Sequence, residues 1–268
     1  MFIPFSYLGK SSLPLDTQFF NAIENSGGSL TTTEKSAVST LLSDIESAGL
    51  TSKLQAVYPL VGGTATSMKY NLMNPADTDD AFRLSFNGTI TYNGNGWQSD
   101  GSTGYANTHF QGADSGGADD FHLGFYVVSA NSTLGVDMGV SAGISTARYL
   151  SAYYDFGGGK AVFEWLAPSI DAWGDNTDRV GNYIANRNGN LSDLWKNGTK
   201  IITHFDTSFS YSDTRDLYWS AFNNTNTGTP ESFVDRVYGF GTIGYGLSDT
   251  EIADYDSAIS TFLTTLSR

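Results

Sequence analysis

The sequence contains no cysteine, and its 268 residues include six prolines and three histidines. Disulfide bonds and thiolate chemistry are therefore excluded. A zinc site would need the histidines His109, His122 and His204 to converge, yet no further ligand at short spacing accompanies any of them. We therefore expect these histidines to be structural.

Positive charge is also scarce, because 14 Lys and Arg residues face 28 Asp and Glu residues and the net charge is −14. An acidic surface repels nucleic-acid phosphates and anionic lipid headgroups. We therefore expect neither a nucleic-acid partner nor membrane insertion. No apolar run approaches the length of a membrane span, and Met1 is not followed by the basic region of a signal peptide.

Glutamate is rare, with six residues at positions 24, 34, 46, 164, 231 and 251. Glycosidases need two carboxylates that flank the scissile bond. The strand signature Glu-x-Asp-x-x-Glu of laminarinase-type enzymes is absent, and Glu164 is the only glutamate inside a predicted sandwich strand. We therefore expect no catalytic residues and predict that the protein is not an enzyme.

The clearest local feature is a β-hairpin centred on Asn197-Gly198. Apolar and polar residues alternate from Leu194 to this pair, and the alternation resumes as far as Ile201. Asn-Gly suits a type I′ turn, which needs positive φ at both central residues and matches the twist of the flanking strands. The sequence therefore predicts a tight two-residue turn here.

Apolar residues in the N-terminal quarter of the chain recur at helical spacing. Asp16 can cap a first helix, Thr31 and Glu34 form the capping box of a second, and a third short helix is predicted over residues 51–57. We expect an extended attachment arm over residues 1–15, a helical lead-in and connection over residues 16–75, and a β-sandwich with a C-terminal helix over residues 76–268.

From Ala81 onward the apolar period becomes two, with a strand about every ten residues, which indicates an antiparallel sandwich or jelly roll. Ser248 and Glu251 then form the capping box of a C-terminal helix. The predicted strands cover residues 82–91, 105–110, 121–128, 134–140, 149–154, 161–165, 183–187, 194–195 with 200–203, 217–222 and 234–243.

Several segments resemble one family, the concanavalin A-like, laminin-G-like lectin-fold domain of phage and prophage virion structural proteins. The hairpin at 194–201 carries the resemblance together with the stretches at 56–65, 80–86, 94–97, 104–110 and 241–251. The resemblance implies a mainly β, antiparallel concanavalin A-like jelly-roll sandwich. It also implies a virion protein on the phage particle surface, made in the host cytoplasm, whose partners are other virion proteins and copies of itself.

Three functions follow as hypotheses. The first is a surface-exposed decoration or adhesion module that binds host-surface or environmental glycans weakly, with many copies supplying avidity. The second is a purely architectural capsid or tail component without a ligand. The third is a glycan-cleaving enzyme, against which the missing carboxylate pair argues.

Glycan binding needs an exposed aromatic face beside amide or carboxylate groups. Aromatic residues in polar, loop-like contexts, and the polar residues next to one of them, are the candidates. These predicted glycan-binding residues are Trp97, Trp173, Tyr211, Asp175 and Asn176.

Calcium is the one metal that the composition favours, because it takes carboxylate, amide and carbonyl oxygens. The densest oxygen cluster contains Asp171, Asp175 and Asp178, which are the predicted calcium ligands. Aspartates in Gly-rich loops also commonly build turns, and this alternative stays open.

Removal of residues 1–14 should abolish assembly without changing the melting temperature of the isolated subunit. The predicted arm carries little charge and exposes Phe2, Ile3, Phe5, Tyr7 and Leu8, and each buried apolar side chain contributes about 1.5–3 kcal/mol. We therefore expect it to lie extended over a partner chain. A large fall in melting temperature would instead show that it covers an edge of its own sandwich.

Overall fold

The computed structural model describes residues 13–115, 117, 119–130, 134–141, 147–154, 160–165, 172–176, 178–205, 214–224 and 229–268. Within these ranges the helices are α1 (Leu15–Asn25), α2 (Thr32–Ser47), α3 (Ala65–Met68) and α4 (Asp249–Thr265). The strands are β1 (Leu54–Tyr58), β2 (Ser85–Asn87), β3 (Ile90–Asn93), β4 (Gly96–Ser99), β5 (Tyr105–Gln111), β6 (Asp120–Ser129), β7 (Met138–Ser141), β8 (Ala147–Tyr154), β9 (Lys160–Trp165), β10 (Ala172–Asp175), β11 (Gly181–Asn188), β12 (Leu191–Lys196), β13 (Thr199–Phe205), β14 (Asp216–Trp219), β15 (Phe222–Asn224), β16 (Thr229–Glu231) and β17 (Val237–Gly244).

The strands form two sheets that pack face to face. Sheet A has the order β13-β12-β11-β6-β17-β4-β3, and β1 also pairs with β17. Sheet B has the order β10-β9-β8-β7-β14-β5-β2, with β15 and β16 attached beside β7. Among the described strands, every pair is antiparallel except β15 with β7. The predicted mainly β, jelly-roll-like sandwich with helices at both ends is therefore confirmed.

The central strands of sheet A are buried on both faces. Along β6, Phe121, Leu123, Phe125 and Val127 point into the core between the sheets, whereas Tyr126 on the opposite face packs against the core beneath the helices. This helix core joins the apolar stripes of α1, α2 and α4 to the outer side of sheet A. In the described part of the chain, no helix has the length and apolar character needed to cross a membrane.

The predicted turn and the two predicted capping boxes are present, but the predicted Asp16 cap is wrong, because α1 begins one residue earlier and its N-cap is Pro14. Asn197 and Gly198 connect β12 to β13 with φ of 48° and 67°, as a type I′ turn requires. Both capping boxes form, with Thr31 and Ser248 each accepting a hydrogen bond from the N–H three residues later.

The predicted helix over residues 51–57 is wrong, because Leu54–Tyr58 is strand β1. It pairs with β17, from Leu54 opposite Gly244 to Tyr58 opposite Gly241. A short apolar run has no periodicity that separates a buried strand from a helix, and here the open edge of β17 decides the conformation. Sheet A therefore includes a strand that precedes the predicted sandwich boundary at residue 76.

The period-two pattern predicts a sandwich core that contains Phe82, Leu84, Phe86, Phe125, Val127, Ile184, Leu217, Trp219 and Phe240. Two of these residues lie elsewhere. Ile184 and Phe240 are buried, but they face the helix core on the outer side of sheet A. Alternation cannot assign a face when both faces are covered. The predicted strand at 82–91 is also broken into β2 and β3, with Gly88 at φ 70° between them.

A buried polar chain links sheet A to α4. The Nδ1 and Nε2 atoms of His122 lie 2.6 Å from the carbonyl oxygen of Tyr245 and 3.1 Å from Oγ1 of Thr242. The hydroxyl of Tyr255 on α4 donates to the same Thr242 oxygen at 3.0 Å. Burial lowers the pKa of His122 to about 4, although the Tyr245 carbonyl and Asp120 favour its charged form.

Acidification should destabilise the fold through His122. Between the ordinary pKa of 6.5 and about 4, the unfolded chain binds a proton that the folded chain does not. The free energy of unfolding therefore falls by up to about 1.4 kcal/mol per pH unit, and by about 3 kcal/mol at pH 4. Urea unfolding of the wild type and His122→Gln at several pH values measures this. Equal pH slopes for the two proteins would contradict the assignment.

Gly198→Val should be costly, because a β-branched residue resists positive φ and a β-carbon there would stand 2.8 Å from Oδ2 of Asp256. We expect a loss of roughly 1–3 kcal/mol in the free energy of unfolding. Gly94→Val is the control, since a β-carbon at Gly94 meets nothing within 4 Å. Similar melting temperatures for the two variants would argue against a strained turn.

Candidate functional site

Polar and aromatic side chains converge on the outer face of sheet B, where β5 and β14 run side by side. Alternate residues of β5 point inward and are buried, namely Ala106, Thr108 and Phe110. The residues between them point outward and are half-buried. We call the outward set the β5–β14 face, which consists of Tyr105, Asn107, His109 and Gln111 on β5 and Asp216 and Tyr218 on β14.

An irregularity in the pairing of β5 with β14 sets the position of His109. Asp216 lies opposite Gln111, but Tyr218 lies opposite Asn107, so β5 has extra residues between these pairs. His109 accordingly has φ of 56°, in the left-handed region that non-glycine residues rarely occupy. Its N–H donates to Oδ1 of Asn107 at 2.8 Å. Such bulges redirect a side chain and recur beside functional sites.

The carboxylate of Asp216 is held in place by its neighbours on β5. The Asn107 amide donates to its Oδ2 at 2.7 Å, and the Gln111 amide donates to its Oδ1 at 2.9 Å. The backbone oxygen of Asp216 also accepts from Asn223 at 2.8 Å. This carboxylate is thus a fixed acceptor, with lone pairs left for a ligand.

The imidazole of His109 lies between two carboxylates. Its Nε2 is 2.8 Å from Oγ of Ser85 and 3.4 Å from Oδ1 of Asp79, and its Nδ1 is 3.8 Å from Oδ2 of Asp216. At 3.8 Å, Asp216 does not hydrogen-bond the ring. Ser85, His109 and Asp216 therefore do not form the connected relay that nucleophilic catalysis needs.

A cleft of about 440 Å³ opens beside the imidazole. Phe82 supplies its apolar wall, and this ring packs edge-on against the buried Phe110 with centroids 5.2 Å apart. The remaining lining is polar and comes from Asp79, Asp80, His109, Gln111, Asp114 and Asp216. Of the four carboxylates, Asp79 is already bound by Arg83, with a shortest contact of 2.8 Å.

Two tyrosines extend the face away from the cleft. The rings of Tyr105 and Tyr218 lie 4.7 Å apart and are inclined by 33°. Burial raises the pKa of the Tyr218 hydroxyl, and Tyr105 and Asp216 raise it further, so the group stays a neutral donor. A half-buried pair of aromatic rings thus stands next to a fixed carboxylate and two amides, which are the residue types that sugar sites use.

The prediction that Trp97 is an exposed glycan contact is wrong. It is 0% exposed, and its ring packs against Trp219 and Tyr238 with centroids 5.4 and 5.1 Å away. Its polar sequence neighbours belong to the β3–β4 hairpin, and Trp97 itself points inward from that hairpin. An indole enclosed in the core has no face for a sugar.

The prediction that Asn176 binds glycan is also wrong, because its side chain is buried and its amide already forms hydrogen bonds within the protein. The Nδ2 donates to the Tyr183 hydroxyl at 2.7 Å, and the Oδ1 accepts from the Lys196 ammonium at 2.8 Å. Asn176 therefore links the side chains of Tyr183 and Lys196 and is not presented to a ligand.

The other predicted residues lie partly outside the described ranges. Tyr211 and Asp171 fall outside them, and for Trp173 and Asp175 only the backbone of β10 is described. Asp178 is exposed, and its Oδ1 accepts from the N–H of Val180 at 3.1 Å, as in a turn. The calcium site stays a prediction. Among described residues, no three His, Asp or Glu side chains are placed to hold a metal ion.

Sequence reasoning missed the β5–β14 face. The signal in the chain was the outward register of β5, where Tyr105, Asn107, His109 and Gln111 recur at every second position. Asp216 and Tyr218 repeat the pattern on β14. Neither strand's sequence shows that β5 pairs with β14, which is more than 100 residues away along the chain. The sequence therefore could not predict that their outward side chains lie together.

The chain was compared with known protein families, curated proteins and solved structures, and only solved structures are similar to it. No protein-family model and no curated protein matches the sequence. A mutant of Trypanosoma rangeli sialidase that displays trans-sialidase activity is similar in structure, with a TM-score of 0.53, 12% identity, and coverage of 92% of this chain and 38% of that one.

A structure described for the ganglioside-dependent cell entry of botulinum neurotoxin type C has a TM-score of 0.50 and 10% identity, covering 79% of this chain and 53% of that one. The present chain thus spans about half or less of both proteins. At such identity the similarity shows the fold alone, a β-sandwich.

Proposed function

We propose that this protein is a glycan-binding, lectin-like sandwich that serves as a surface-exposed decoration or adhesion protein of a phage virion. The β5–β14 face carries the glycan-binding part of the proposal. The virion part rests on the sequence resemblance to phage structural proteins. Weak single sites become effective when many copies are displayed together.

The observation that supports glycan binding most directly is the Tyr105–Tyr218 pair beside the fixed Asp216 carboxylate. The tyrosine rings offer an apolar surface to the C–H face of a sugar, and Asp216 accepts from its hydroxyls. The cleft next to them, with Phe82 as its wall, has room for a further sugar unit. A sandwich of similar fold occurs in a neurotoxin described as interacting with gangliosides.

The charge of the face favours a neutral glycan. Asp79, Asp80, Asp114 and Asp216 line the cleft, whereas Arg83 beside it is bound to Asp79. A ligand carboxylate or sulfate would meet like charges there, on a protein whose net charge is −14. We therefore expect uncharged oligosaccharides to bind better than sialylated or uronic-acid glycans.

Tyr218→Ala should weaken glycan binding at least about tenfold, equivalent to about 1.4 kcal/mol, because it removes one of the two stacked rings. Tyr218→Phe keeps the ring and should retain most of the binding. Tyr245→Ala is the matched control, since this half-buried tyrosine lies away from the face. A glycan array with the assembled protein identifies ligands, and titration of the hits with each variant gives the affinities.

The array also separates the alternatives. If no glycan binds to the assembled wild type, the adhesion proposal fails and an architectural component remains. If Tyr218→Ala and Tyr245→Ala weaken binding equally, the β5–β14 face is not the site. Release of reducing sugar from a bound glycan would instead favour the glycan-cleaving alternative.

A further inference from the structure

The cleft beside His109 carries an excess of negative charge. Among the described residues, four aspartates line it and no lysine or arginine does. The nearest cations are engaged by other carboxylates, because Lys69 Nζ is 2.6 Å from Oδ2 of Asp77 and Arg83 Nη2 is 2.8 Å from Oδ1 of Asp79. Arg83 thus balances one aspartate of the lining, and the remaining three keep their negative charge without a described cation beside them.

These three carboxylates are within reach of a ligand. Asp80 is exposed, and no described residue donates a hydrogen bond to it or forms an ion pair with it. Asp114 is half-buried, and its Oδ2 accepts from the N–H of Gln111 at 2.8 Å. The side chain of Asp216 is 25% exposed, and each of its oxygens accepts one hydrogen bond from β5. A carboxylate has about four lone-pair sites, so all three keep capacity to accept.

The core holds the apolar wall of the cleft in place. Phe82 is half-buried, and its backbone has φ of 56°. The hydroxyl of Tyr58 donates to the carbonyl of Phe82 at 2.6 Å, and the N–H of Phe82 donates to the carbonyl of Asp79 at 2.8 Å. The Phe82 ring rests on the buried Phe110. The wall therefore exists before a ligand binds, which reduces the entropy that binding costs.

An amine in place of a sugar hydroxyl is the substituent that suits this lining best. A protonated amine carries a positive charge and three hydrogen-bond donors on one atom, whereas ionised carboxylates only accept. Charge-assisted hydrogen bonds of this kind are about twice as strong as those between neutral groups. The Tyr105–Tyr218 pair lies on the same face as Asp216, so the negative charge adjoins aromatic rings that suit a sugar.

We propose that this cleft selects glycans that carry a protonated primary amine, and that Asp80, Asp114 and Asp216 receive the amine. The C–H face of the sugar ring packs on Phe82. This inference rests on the proposed glycan binding by the β5–β14 face and names the ligand class of that site. The charges that repel a ligand carboxylate or sulfate attract an ammonium, so amino sugars bind more tightly than neutral sugars, and neutral sugars more tightly than anionic ones.

Asp80→Lys is the decisive variant, because it removes one carboxylate of the cleft and places the protein's own ammonium there. Asp254→Lys makes the same charge change at an exposed position of α4, which covers sheet A on the opposite side of the sandwich. It therefore controls for the net charge of −14. Because both positions are exposed, both variants should melt close to the wild type.

The probes are methyl α-glucopyranoside and its derivative in which an amine replaces the primary hydroxyl. Nα-acetyl-lysine amide supplies the same ammonium without a sugar ring. Each is titrated at neutral pH into isotope-labelled protein, and the NMR signals of the Asn107 and Gln111 side-chain amides, which donate to Asp216, report binding.

We expect the amino sugar to bind about fivefold more tightly than its hydroxyl twin, or better. One exposed charge pair gives a factor of up to about five, and here several carboxylates act together. Asp80→Lys should remove the preference, whereas Asp254→Lys should keep it. Added salt should reduce the preference, because it screens exposed charges.

Three results would overturn the inference. The first is that the amino sugar binds no better than its twin, or does not bind. The second is that Asp80→Lys and Asp254→Lys reduce the preference equally, which assigns it to the overall charge. The third is that Nα-acetyl-lysine amide binds as well as the amino sugar, which indicates recognition of an ammonium alone. In each case the proposed function still stands if an array ligand is lost with Tyr218→Ala, and it fails separately if the array shows no ligand.

Discussion

The indole of Trp219 lies against the backbone of Gly241, and the rest of the structure depends on this contact. A β-carbon at position 241 would stand 2.2 Å from the ring, so only glycine lets β17 of sheet A approach β14 of sheet B so closely. Trp97 and Tyr238 close around the same indole at 5.4 and 5.2 Å. Because strand side chains alternate, fixing Trp219 inward also fixes Tyr218 and Asp216 outward. The position of the candidate site thus follows from a core contact.

Burial of the central strands of sheet A on both faces explains why helices from both ends of the chain pack on its outer side. All eight residues of β17 are buried, and Phe240 on its outer side needs an apolar cover. The stripes of α2 and α4 supply it, and the His122–Thr242–Tyr255 chain satisfies the polar groups beneath them. With the outer side of sheet A covered in this way, the half-buried polar residues of β5 and β14 mark the side that faces solvent.

Sequence reasoning succeeded where the determinant is local. The Asn197-Gly198 turn and the capping boxes at Thr31 and Ser248 each depend on a few adjacent residues, and each was predictable. It failed where a distant partner decides: β1 is a strand because β17 has a free edge, and Trp97 is buried because Trp219 and Tyr238 surround it. The β5–β14 face could not be foreseen for the same reason, since Asp216 gains its role only beside Asn107 and Gln111.

The fold and the proposed binding site use different residues of the same strands. On β5, Ala106 and Phe110 build the core, whereas Asn107 and Gln111 between them position Asp216 at the surface. A change at an outward position therefore alters the ligand chemistry with little cost in packing, and a change at an inward position does the reverse. The two similar structures have a sandwich of similar fold at 10–12% identity. The proposed glycan binding therefore rests on the residues on the outer face of sheet B and not on the fold.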